Sequence, residues 1–91
     1  MSGKTITDMS VELDAVFDDI IAQGNDDELF ASGYLRGHFD LVVARLTMSG
    51  VEDQSQFWPA LHESVAASAH ELNEADLALV NGMLARLQSH T

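Results

Sequence analysis

Apolar residues recur along this chain at the three- and four-residue intervals of an α-helix, and the two-residue alternation of a half-buried strand is absent. In residues 7–23, Met9, Leu13, Val16, Phe17, Ile20 and Ile21 fall on one face of a helical wheel. Glu12, Asp14, Asp18 and Asp19 fall on the other. Gly24 ends the segment as a helix-terminating glycine, and Asn25 and Asp26 supply capping oxygens for the next. Residues 27–48 form a second helix of about 33 Å at 1.5 Å per residue, opened by Asp27 and Glu28 at its positive end and closed by Ser49-Gly50. After the loop "VEDQS", Ser55 is placed to cap a third helix, residues 55–70. Pro59 lies in its first turn, where a missing amide hydrogen removes no helical bond. Its apolar side is Phe57, Trp58, Leu61, Val65 and Ala69, trailed by Leu72. Asn73 caps a fourth helix, residues 74–89, lined by Leu77, Val80, Met83, Leu84 and Leu87. The expected fold is all-α, an antiparallel four-helix bundle, because short connections leave neighbouring helices antiparallel. One domain spans residues 1–91, with its first eight and last three residues frayed.

The second helix departs from the other three. Ala31, Leu35, Phe39, Val42 and Leu46 make one apolar stripe, and Phe30, Tyr34, Gly37, Leu41, Ala44 and Met48 make another on the opposite side. Arg36, Asp40 and Thr47 divide the stripes along one border, His38 and Arg45 along the other. A helix apolar on two sides is expected to be the most buried of the four. Tyr34, Arg36 and His38 alternate in the text but do not meet on a helix. Tyr34 and His38 are neighbours four apart, with Leu41 and Arg45 continuing their row, while Arg36 faces away and has Asp40 as its natural partner.

Gly33 and Gly37 each cost about 1 kcal/mol relative to alanine in a helix interior. A structural reading offsets that cost with a close helix crossing over the bare backbone, and this is the reading the sequence favours. A functional reading makes the same surface a shallow groove for a ligand or partner segment.

The stretch "DDELFASGYLRGH", Asp26 to His38, resembles the signature of the YfcL family of small gamma-proteobacterial proteins. A looser likeness extends to the apolar first helix, the capped start around Leu72 to Asp76, "LALV" at Leu77 to Val80, and the length. The third segment, with "FWPALH", diverges. The resemblance implies a small bacterial cytoplasmic protein, brings no catalytic residues with it, and directs attention to the second helix.

Charge and composition narrow the functions. Fifteen acidic residues face four Lys and Arg, a formal net charge of −11. Nucleic-acid backbones and anionic membranes are bound through clustered Lys and Arg, so neither is an expected partner. The acidic surface serves solubility, or a basic partner. With 91 residues the chain buries about 60% of its unfolded surface, and having no cysteine it has neither disulfide nor thiolate metal site. No stretch reaches the ~18 apolar residues of a membrane span, and "MSGKTITDMS" lacks a signal peptide's basic start and apolar run. The expected location is cytoplasmic.

Catalytic and cofactor motifs are missing: no G-x-S-x-G elbow, no phosphate loop, no dinucleotide fingerprint, and no Glu-x-x-His pairs of a di-iron bundle. His62-Glu63 and His70-Glu71 read as a solvated face rather than a metal site, and "FDD" with "NDDE" as caps rather than a calcium loop. Trp58 reads as core. No catalytic residue, metal or cofactor is therefore assigned. The leading expectation is a non-catalytic protein-interaction module that uses the second helix to bind a protein partner or a second copy of itself as a homodimer. Its candidate residues are Phe30, Gly33, Tyr34, Gly37, His38, Leu41 and Arg45. The alternative is a small-molecule site, for an anion, around Tyr34, His38 and Arg45.

Overall fold

The computed structural model describes residues 5–90. Four α-helices account for most of them: α1 (Ile6–Gln23), α2 (Asp26–Met48), α3 (Phe57–Ser68) and α4 (Glu74–Gln88). Short 3-10 turns, Gln54–Gln56 and Ala69–Glu71, lead into and out of α3. The fold is all-α, and no strand occurs among the described residues beyond an isolated bridge between Thr5 and Asp53.

Local capping chemistry sets the helix starts. Thr5 and Asp8 form a reciprocal capping box on α1, as Asn25 and Glu28 do on α2. Asn73 Oδ1 accepts from the Asp76 N–H at 2.7 Å to start α4. Thr5 to Asp8 are thus ordered by the cap rather than frayed as expected; the expected fraying of residues 1–4 and 91 lies outside the described residues. Ser55 does not cap α3. Asp53 accepts from the Ser55 N–H at 2.9 Å and starts the 3-10 turn, whereas Gln56, the residue before α3, makes no side-chain cap. Pro59 does fall in the first turn of α3, which ends at Ser68, two residues before the expected stop.

The two loop glycines that bear on the fold do so for different reasons. Gly50 has φ +77°, a left-handed conformation that side chains resist, and lets Val51 N–H return to the Leu46 carbonyl at 2.8 Å. Gly24 has an extended backbone, not a left-handed one. It is needed because a Cβ there would lie 2.5 Å from the Ile20 carbonyl oxygen.

Every substantial contact between two of the four helices includes α2, which packs against α1, α3 and α4. Its inner stripe of Ala31, Leu35, Phe39 and Val42 is fully buried. Phe39 sits between Phe17 of α1 and Phe57 of α3, edge-on to both with ring centroids 5.4 Å apart, and Trp58 extends the aromatic chain. Trp58 is core, as expected, although its indole N–H has no hydrogen-bond partner among the described residues. The α2–α3 loop is fastened to the start of α1, where Ile6 N–H donates to the Glu52 carbonyl at 3.0 Å.

Candidate functional site

Opposite its buried stripe, α2 turns its second apolar stripe to solvent. Phe30, Leu41 and Met48 are exposed, Met48 by 87%, and Gly33, Gly37 and Ala44 lie open between them. The expectation that α2, apolar on two sides, is the most buried helix is corrected. Three helices pack on one side of α2, and none remains for the other. The close crossing over Gly33 and Gly37 is corrected for the same reason: a Cβ built on either meets nothing within 4 Å among the described residues.

The row Tyr34, His38, Arg45 lies on the α3 side of this face. Phe30, Tyr34 and His38 stack successively along α2, with centroids 6.2 and 5.0 Å apart. Tyr34 Oη donates to the Ser68 carbonyl at 3.5 Å, and His38 Nδ1 shares a 2.8 Å hydrogen bond with Ser64 Oγ. Both side chains are half-buried. Arg45 borders a groove of about 280 Å³ between α2 and α3, together with Glu63 and Ser64. Neither Tyr34 nor His38 lines it. Ser64 and Ser68 were not legible as partners, since their positions depend on how α3 lies against α2, which local pattern does not encode. Ala44 and Met48 belong to the open face by the same periodicity that selects Phe30 and Leu41.

Charge is sparse on this face. From Leu29 to Met48 the formally charged residues are Arg36, Asp40 and Arg45. Arg36 does not pair with Asp40. It reaches across to α1, 3.6 Å from both Asp14 and Asp18, with its guanidinium over the Phe17 ring. Arg86 of α4 holds Glu28 at 2.6 Å. The Asn25 backbone N–H and, after it, Arg86 keep the Glu28 carboxyl below its ordinary pKa. Arg45 and Asp27 have no ion-pair partner among the described residues.

Among the described residues no three of His, Cys, Asp or Glu are grouped to hold a metal ion. His62 Nε2 instead meets Gln88 Oε1 at 3.0 Å across α3 and α4. No helix among the described residues is long and apolar enough to cross a membrane.

The fold and this face define a small acidic all-α protein with one helix left apolar on its outer side. Comparison with known proteins places it further. The family model described as "YfcL protein" matches residues 7–89, and the chain belongs to the YfcL family. It is 44% identical over 75 residues to the Escherichia coli (strain K12) protein named "Uncharacterized protein YfcL", a match covering 76% of this chain and 77% of that one. No solved structure matches it significantly.

Proposed function

We propose that this protein is a non-catalytic interaction module that docks a protein partner on the outer face of α2. The observation that carries this reading is the uncovered row Phe30, Gly33, Gly37, Leu41, Ala44 and Met48. Burying apolar surface contributes about 25 cal/mol per Å², so a contiguous apolar strip on an otherwise acidic molecule is a surface that gains by being covered. The two glycines fit that use. They forgo about 1 kcal/mol each in helix propensity with no contact among the described residues in return, and they let a partner backbone or aromatic ring approach closely. Tyr34 and His38, held on α3, form a firm border.

The test is capture of a partner from a bacterium carrying this family, with Leu41→Asp and Gly37→Leu as blocked variants. Both positions are exposed, so both variants fold. Loss of capture in both is expected; undiminished capture by both removes this face from the account.

A second reading has one observation of its own, the 280 Å³ groove beside Arg45, which an anionic small molecule could enter. It ranks second because Glu63 lines the same groove and Tyr34 and His38 do not. It requires thermal stabilisation by some anion that Arg45→Ala abolishes.

A further inference from the structure

Resting on the interaction reading above, we propose that the outer face of α2 is covered by α2 of a second copy of this chain, running antiparallel, in a two-fold homodimer. Gly37 is the middle residue of α2, which spans Asp26–Met48. A two-fold axis passing beside Gly37 brings the two bare backbones together at the closest point of the crossing, where none of the described residues stands in the way.

The rest of the face then matches itself. Phe30 faces Ala44 of the second copy, a large side chain against a small one, and the reverse holds across the axis. Leu41 falls beside the aromatic pair Phe30 and Tyr34 of the second copy. Asp40, on the opposite flank, faces the bare backbone at Gly33 rather than another acid.

Charge supplies the independent argument. Arg36 and Arg86 are spent on Asp14, Asp18 and Glu28 within the chain. Arg45 has no such partner among the described residues, and neither has Asp27. The two lie on the same flank of α2, close to equal distances on either side of Gly37. Antiparallel pairing therefore sets Arg45 of each copy beside Asp27 of the other, twice by symmetry. A chain of net charge −11 has few ways to make a favourable electrostatic contact with itself, and this face offers two.

The experiment is sedimentation equilibrium of the full chain from micromolar to millimolar concentration at physiological salt, on wild type and variants whose helicity is confirmed by circular dichroism. Wild type is expected to convert from monomer to dimer. Arg45→Asp and Asp27→Arg each replace two attractions by two repulsions and should weaken dimerisation about tenfold. The double variant carries the same local helix costs as the two singles yet restores the pairs, and should return to within about threefold of wild type. The chain has no cysteine, so Gly37→Cys gives a clean second readout. Oxidation should cross-link it as a dimer, while Val11→Cys on the exposed side of α1 stays monomeric. A strict monomer at the highest concentration, or a dimer indifferent to both charge reversals and to Leu41→Asp, overturns the proposal. If the protein is monomeric but Leu41→Asp still abolishes capture of a host protein, the second copy is the wrong occupant and the interaction reading stands. If that capture is unaffected as well, both readings fall.

Discussion

A methyl group added at Gly24 would come within 2.5 Å of a backbone oxygen, whereas one added at Gly33 or Gly37 would meet no atom of the described residues within 4 Å. The three substitutions to alanine therefore have opposite signs. Gly37→Ala and Gly33→Ala should each raise stability by up to about 1 kcal/mol in dilute solution, since alanine is the better helix former and loses less backbone entropy. Gly24→Ala should lower it, because the clashing atom is main chain and cannot swing aside. Urea unfolding of the three variants checks this; a loss of stability at Gly37 would show that the dilute monomer packs something over that backbone. A residue whose replacement stabilises the fold while weakening association is the signature of a position kept for binding. Capping was legible in part at this scale: Asn25 caps α2 as expected, whereas Glu28, read only as an acid at the positive end of the helix, also accepts from the Asn25 N–H; Asn25→Ala should cost about 1 kcal/mol. The use of the glycines was not legible, because an internal crossing and an open docking surface leave the same letters in the sequence.

For α2 as an element, the two stripes are alike in composition and unequal in energy. Phe39, 1% exposed and in contact with two further rings, should cost about 3 to 5 kcal/mol when cut to alanine. Leu41, 51% exposed, should cost less than about 0.5 kcal/mol. Chemical denaturation of Phe39→Ala and Leu41→Ala decides it, and equal losses would mean that the outer stripe is buried in the folded monomer. The start of α2 carries a pH dependence. The Glu28 carboxyl lies below its ordinary value of 4.5, held there by the Asn25 N–H and by Arg86. A depressed folded-state pKa contributes stability that is complete above about 4.5 and is lost as pH falls through the lowered value. The stability difference between wild type and Glu28→Gln should therefore be constant at neutral pH and shrink in acid below that point. A difference that grows on acidification would reverse the assignment.

Over the whole molecule, fifteen acidic side chains and four Lys and Arg make self-repulsion the larger electrostatic effect. The ion pairs Arg36–Asp14, Arg36–Asp18 and Arg86–Glu28 are partly exposed, and such pairs contribute about 0 to 1 kcal/mol each. Salt screens both, with a Debye length of about 8 Å at physiological strength, but it relieves more repulsion than it removes attraction. Melting temperature should rise from low to physiological sodium chloride, and a fall would mean that the ion pairs dominate.

The sequence by itself determined the all-α class, the starts of α2 and α4, the two apolar stripes of α2 and the family. Each of these is written in interactions within a few residues or in the period of the apolar positions. Only the tertiary structure decided which stripe of α2 is buried, that Arg36 serves Asp14 and Asp18 rather than Asp40, and that Gly33 and Gly37 stand uncovered. Those outcomes depend on how many helices pack around α2 and on which side, and with three neighbours gathered on one face, no periodicity within α2 could say which of two equally apolar sides they would choose.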